Sequence, residues 1–282
     1  MRQRSVPWVN TGIALVAVLW IVAALAIVVG GVQLSVRSEL RIVGASRQAV
    51  ESVAIGEAAV MLALQDMVAG DERLTRQTVR EYGYLGNAIP VEITPLNGLI
   101  DINRASESLL ASMYAVGGGL SPQVATNLAS ATIQARTQRD IFGREQGFEA
   151  IQDLLQVPGV NYDLYARLSP LMTVEAQGSG KVNPLAAPEE VLLVLAGGNV
   201  SHTQAIRSRR DAGAGSSEID TTVLNGEFIS ISATTRYRIH ARVASSDGGS
   251  VAVVRSVDLR PDSVSGMPWR IFNAEHSMIA AH

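Results

Sequence analysis

The chain has 282 residues, with 26 acidic against 23 basic side chains and a formal net charge of −3. That length holds about two domains beyond an anchor, and so small an imbalance does not select a polyanionic partner through whole-molecule electrostatics. Cysteine is absent, which excludes a disulfide framework, a thiolate metal site and a cysteine nucleophile.

Arg2 and Arg4 precede an uncharged run from Ile13 to Val36. As a helix rising about 1.5 Å per residue, this run covers the roughly 30 Å hydrocarbon core once. A continuous helix satisfies its own backbone in lipid despite Gly30 and Gly31. The two arginines keep the N-terminus cytoplasmic and send the remainder across the membrane. An ordinary secretory signal has a shorter apolar region and a small-residue cleavage site after it. Here a cut between Gly12 and Ile13 would instead leave the apolar helix at the mature N-terminus, and a simple signal anchor is the plainer alternative.

Beyond Val36, apolar residues recur near helical spacing at Leu40, Val43, Val50, Val53, Ala54, Met61 and Leu64, interleaved with Arg37, Glu39, Arg41, Arg47, Glu51 and Glu57. The pattern predicts one helix of roughly 55 residues, half in lipid and half amphipathic, closing at Gly70 and Asp71. Arg80–Tyr84 and Ala88–Thr94 then read as short strands bounded by Gly86-Asn87 and Pro95.

Residues 96–211 read as short amphipathic helices separated by glycine and proline turns. Alternation returns between Glu218 and Phe272, at Phe228–Ser232, Arg236–Val243 and Val251–Leu259, with Asp247-Gly248-Gly249 as a hairpin turn. Isolated early strands need the later ones as partners, so the helical block is predicted to interrupt a single sheet. It contains a weak repeat, Gly98–Leu110 against Gly180–Leu192. In each copy an asparagine, Asn103 or Asn183, is expected before a small-residue turn, with Ser106 or Pro188 at the helix start. Between the copies, Leu154-Leu-Gln-Val-Pro-Gly-Val160 followed by Asn161–Leu168 has the pattern of a helix-hairpin-helix.

Helix-hairpin-helix units often bind nucleic acid through backbone N–H groups at a glycine turn, for which Gly117–Gly119 and Gly197-Gly198 are the candidates. Nine basic against eleven acidic residues between Leu96 and Asp211 argue against a phosphate-binding face. The cluster Arg207, Arg209, Arg210 reads as a solvated helix end. His202, His240, His276 and His282 are scattered, and Ser179 and Asp101 have no evident histidine partner, so no catalytic motif assembles and an enzyme is not expected. No cofactor is implied. Asp211, Glu218, Asp220 and Asp247 could offer oxygen ligands to calcium, although without EF-hand spacing.

Taken together, the apolar segment Ile13–Trp20 after Gly12, the Asp101-Ile-Asn103 and Val182-Asn183 turns, and Leu154–Val160 leading to Leu168–Val174 resemble the type II secretion system protein K family, the largest minor pseudopilins. The resemblance implies an α+β pilin-like fold: leader 1–12, transmembrane helix 13–36, spine and first strands 37–95, inserted helical domain 96–211, and remaining sheet 212–282. It further implies cleavage by the prepilin peptidase between Gly12 and Ile13, with Ile13 as the methylated mature N-terminus. Most pilin-like proteins carry a glutamate as fifth mature residue; here that position is Ala17, as suits a subunit with none above it. Family analogy thus implies a non-catalytic cap of the pseudopilus tip that primes assembly. Its partners would be other minor pseudopilins, the major pseudopilin and the inner-membrane assembly platform, with the head in the periplasm. A minor pilin of a type IV pilus and a membrane-anchored DNA-uptake receptor are the rival readings.

Overall fold

The computed structural model describes residues 11–70, 74–139, 143, 146–215, 218–244, 249–261 and 266–279, with side chains of the long helix given for 16–25 and from Ser46 onward. The chain divides into two units, Met1–Ser52 and Val53–His282. Helix α1, Thr11–Ala69, contributes to both and is close to the length that the apolar and amphipathic periodicities require. In the first unit, every residue from Val16 to Leu25 is exposed, Trp20 at 74%. A helix apolar on all sides needs a nonaqueous surrounding or partner helices.

In the second unit, α1 carries Ile55, Ala59, Ala63, Leu64 and Met67 into a core with Val91, Ile93, Tyr237, Ile239, Val251 and Val253. The stretch Ser46–Ala69 passes the length and composition test for a membrane span, but 44% of its most apolar window is buried. It is the core helix of the head. Contact is closest at Gly56, where a Cβ would lie 2.6 Å from Val253 Cγ2.

The sheet against α1 has five antiparallel strands in the order β1 (Thr78–Tyr84), β2 (Asn87–Pro95), β5 (Arg236–Ala244), β6 (Ser250–Asp258) and β7 (Arg270–Ile279). The β1–β2 turn sits at Leu85-Gly86, both at positive φ, one position earlier than the glycine-asparagine pair suggests. β7 is a strand that alternation alone does not reveal, because a register shift at Ser256/Val257 skips Phe272. That extra residue places Phe272 beneath the Arg236 guanidinium, 4.8 Å from its ring centroid, as a β-bulge re-aims side chains.

Between β2 and β5 lies the helical block: β3 (Ile100–Asp101), α2 (Glu107–Ser112), α3 (Pro122–Arg136), α4 (Tyr162–Leu168), β4 (Met172–Thr173), α5 (Glu189–Leu195) and α6 (Val200–Asp211). β3 and β4 pair in parallel. The block's core runs from Leu96 to Phe228. The strand expected at Phe228–Ser232 does not form. Phe228 instead joins that core, with Ile219 and Leu224, and only Ile229 makes a bridge, to Val182. Ile219, Leu224 and Phe228, assigned by pattern to the sheet domain, therefore serve the block, since their side chains find neighbours there.

The two copies of the repeat pack reciprocally, with a changed equivalence. Asp101 Oδ1 accepts from Asn103 N at 3.0 Å and Asn183 Oδ1 from Leu185 N at 3.1 Å, so Asp101, rather than Asn103, matches Asn183. Ser106 caps α2 through Leu109 N, and Pro188 stands at the start of α5. Arg136 donates to the Ala105 carbonyl at 2.9 Å, and Arg210 donates to the equivalent Ala187 carbonyl at 2.6 Å. Arg210 is thus a 6% exposed interior ligand of a turn and not a solvated helix end. A Cβ on Gly98 would lie 2.4 Å from Ala186 O, and one on Gly180 would lie 2.1 Å from Arg104 O. Each copy's glycine therefore rests on the other copy's turn.

The neck of the block is tied where its two strands meet. Asn97 and Asn183 both donate to the Ser232 carbonyl, at 2.6 and 3.1 Å, and Asn183 N donates to Asn97 O at 2.7 Å. Backbone cannot yield easily at the two glycines, so Gly98→Ala and Gly180→Ala are each expected to destabilise the head by about 2–3 kcal/mol. Gly83→Ala, with nothing within 4 Å, should change stability by less than about 0.5 kcal/mol. Chemical denaturation followed by circular dichroism checks this; equal stability of all three variants would refute the interlocked repeat.

Candidate interaction cleft and assembly segment

The face of the sheet turned away from α1 bears alternate residues, since side chains along a strand point to opposite sides. On β5 these are Arg236, Arg238, His240 and Arg242. Register places Glu92, His240, Val254 and Glu275 in one row across the sheet, with Thr94, Arg238, Ser256 and Asn273 in the next. Over this face stands the helical block, with a cleft of about 1010 Å³ between them. Tyr165, Glu175 and Glu190 line its opposite wall.

One edge of the roof is anchored by Arg236. Its Nε lies 3.3 Å from Asp258 Oδ2, and its Nη1 donates to Glu175 O at 2.8 Å. Burial raises the Asp258 pKa, but hydrogen bonds from Arg260 and Thr235 outweigh it and hold the carboxyl at about 2. Arg238 lies deeper and donates to Met172 O at 3.0 Å. Burial pulls its pKa down, while Glu275, Glu175 and Glu92 push it back up. Glu175 is raised chiefly by burial, against Arg236 and Arg238. His240 is lowered by burial, favouring the neutral ring, and its Nε2 is buried without a hydrogen-bond partner among the described residues.

The residues singled out for other chemistry are differently employed. A Cβ on Gly159, in the hairpin, would lie 2.9 Å from Leu128 Cδ2, and Gly117 and Gly118 abut Leu171 and Tyr114 O. These glycines admit neighbouring side chains and backbone. Gly197 and Gly198 take positive φ between α5 and α6, where Asn199 caps α6. Asp211 pairs with Arg207 and Arg210, Glu218 accepts from Gly215 N and Asp220 from Thr222 N. Asp247 and His282 lie outside the described residues, and among those described no group of three His, Asp or Glu could hold a metal ion. Asp101 serves its turn, and its Oδ2 is buried.

At the other end of the chain, residues 1–10, where the resemblance implies a leader, lie outside the described residues. Gly12 and Ile13 fall in the first turn of α1, and Ala17 is exposed on the apolar segment. Neither the cleft nor Arg136 and Arg210 was marked as a site by the sequence; the two arginines sit at equivalent places in the repeat, which is the signal that could have found them.

No family profile matches the chain, and no curated protein matches it. Three solved chains match its fold. One belongs to the crystal structure of the GspK-GspI-GspJ complex of the type 2 secretion system from enterotoxigenic Escherichia coli. The TM-score is 0.53 and the identity 12%, covering 86% of this chain and 100% of that one. The chain has a pseudopilin-like fold: a long N-terminal helix with an apolar first part, packed in its second part on an antiparallel sheet that a helical block interrupts.

A carboxyl held at about 2 when folded and near 3.8 when free stabilises the fold above pH 4 and loses that contribution as pH falls through 2. The difference corresponds to about 2 kcal/mol. Asp258→Asn is therefore expected to lower stability by about that amount at pH 7 and to flatten its decline between pH 4 and 2. Urea titrations across that range test it, and parallel curves for both proteins would contradict the assignment.

Proposed function

We propose that the chain is a minor pseudopilin of type II protein secretion that caps the pseudopilus tip and primes its assembly. The observation that carries this reading is the interrupted sheet on a helix whose apolar segment has no partner among the described residues of this chain. Residues 13–36 anchor the protein in the inner membrane, with the N-terminus cytoplasmic and the head periplasmic, as the positive-inside rule predicts from Arg2 and Arg4.

The action is mechanical. Small residues at Ala14, Ala17, Ala23 and Ala24 let other helices approach closely in lipid. Minor pseudopilins would join this helix there, and the solved neighbour is itself a chain from a three-protein complex of that system. Subunits of the major pseudopilin added from below at the assembly platform then lift the head through the periplasm. The helical block enlarges the head beyond what a regularly packed shaft accommodates, which favours the tip over the shaft of either a pseudopilus or a type IV pilus. An unpaired carboxylate in hydrocarbon costs several kcal/mol, so Ala17 suits a subunit with no positive terminus above it. The reading calls for no catalysis, cofactor or calcium on this chain.

Prepilin peptidase would cut after Gly12. Gly12→Leu is expected to leave a longer precursor in the inner membrane, and a normal-sized mature band on an immunoblot would remove the prepilin reading. Ala17→Glu should weaken recovery of partner pseudopilins by roughly tenfold, since about 1.4 kcal/mol suffices for that factor. Unchanged co-purification would count against the cap.

A further inference from the structure

The chain contains two Asn-Gly pairs, Asn97-Gly98 and Asn225-Gly226, and the fold treats them oppositely. The backbone nitrogen after an asparagine can attack the side-chain amide carbon, and a glycine there has no Cβ to hinder the approach. At the neck both groups are held. Asn97 is 8% exposed, its Nδ2 donates to the Ser232 carbonyl at 2.6 Å, and its own carbonyl accepts from Asn183 N at 2.7 Å. Gly98 rests on the Ala186 carbonyl. Rotating either the amide that must leave or the nitrogen that must attack would therefore break the packing of one repeat copy on the other.

Asn225-Gly226 lies in the turn between Leu224 and Phe228, both of which are seated in the block's core. Asn225, Gly226 and Glu227 are all exposed. Phe228 N donates to Asn225 O at 2.9 Å, which closes the turn, and Glu227 N donates to Asn225 Oδ1 at 2.9 Å. The second bond is made to the oxygen on which negative charge develops when Cγ is attacked, and a fixed donor at that atom lowers the barrier. Among the described residues nothing holds Asn225 Nδ2 or the Gly226 N–H, and no atom lies within 4 Å of the place a Gly226 Cβ would take. Nucleophile, leaving group and solvent meet at this turn.

We propose that Asn225 is a modification site of the folded protein, converted by its own backbone and water to aspartate and isoaspartate. Gly226 N, losing its proton, bonds to Asn225 Cγ; the Cγ–Nδ2 bond breaks, and the nitrogen takes up a proton and departs as ammonia, leaving a succinimide. Water then adds to either carbonyl of that ring. Opening the Cγ–N bond gives aspartate, and opening the backbone C–N bond gives isoaspartate. The net change is amide plus water to carboxylic acid plus ammonia, with no oxidant or reductant. Isoaspartate puts an extra methylene into the main chain between Leu224 and Phe228, and either product places a new carboxylate in a turn whose Gly226 carbonyl accepts from Lys181 Nζ at 3.2 Å. The inference does not depend on leader processing or on the residue at position 17, so it stands or falls separately from the pseudopilin reading.

The test ages the full chain in detergent micelles at mildly alkaline pH and follows each asparagine by tryptic digestion and mass spectrometry, with electron-transfer fragmentation to tell isoaspartate from aspartate. In the folded protein Asn225 should convert at least about tenfold faster than Asn97, whose reaction requires the neck to open, and isoaspartate should be among its products. In urea the two pairs should convert at comparable rates, because only their surroundings distinguish them. Gly226→Ala, whose Cβ meets nothing within 4 Å, should leave the far-UV circular dichroism unchanged and slow conversion at Asn225 severalfold. An Asn225 that stays intact in the folded protein, equal rates at Asn97 and Asn225 before unfolding, a difference that persists in urea, or a Gly226→Ala variant that converts as fast as its parent would overturn the proposal.

Discussion

The pairing of β2 with β5 is the interaction on which the rest of the head depends. Five residue pairs, from Val91↔Ala241 to Pro95↔Tyr237, join strands separated in sequence by the entire helical block. Without it, β1 and β2 would be an isolated hairpin, marginal in water, and α1 would lose Ile89, Val91 and Ile93 from the core it shares with β5 and β6. Closing so long a loop costs little more entropy than closing one half as long, provided the block brings its own ends together. The neck does this: two asparagine amides converge on the Ser232 carbonyl, and the Tyr237 hydroxyl bonds both Leu74 O and Thr234 O at 3.1 Å.

The block can present close ends because it is nearly symmetric inside. An Asx turn, a helix and a second helix ending in a turn-binding arginine occur twice, and the glycine of each copy accommodates the backbone of the other. Such reciprocity leaves neither copy with a complete surface of its own. The helix-hairpin-helix between them packs its glycine on Leu128 of α3, so a turn that elsewhere can face phosphate here faces the core.

The same topology creates the cleft. A sheet covered on one face by α1 has an opposite face available, and a block tethered at one end of that face roofs it without filling it. Arg236 draws in one edge through Glu175 O, while the row from Glu92 to Glu275 stays open.

By itself, the order of residues determined the uncharged segment from Ile13 to Val36, the amphipathic continuation to Ala69, the strands at β1, β2, β5 and β6, the helix start at Ser106, and the presence of a repeat. These follow from local periodicity and local hydrogen bonding, which need no distant partner. β7 was hidden because its bulge breaks the alternation, and Phe228 read as a strand residue because only the helical core gives its ring a place. The burial of Arg210 and the cleft with His240 were decided by tertiary structure alone. Each depends on which surfaces meet across residues 96–235, and contacts so far apart in sequence leave no periodic trace in the chain.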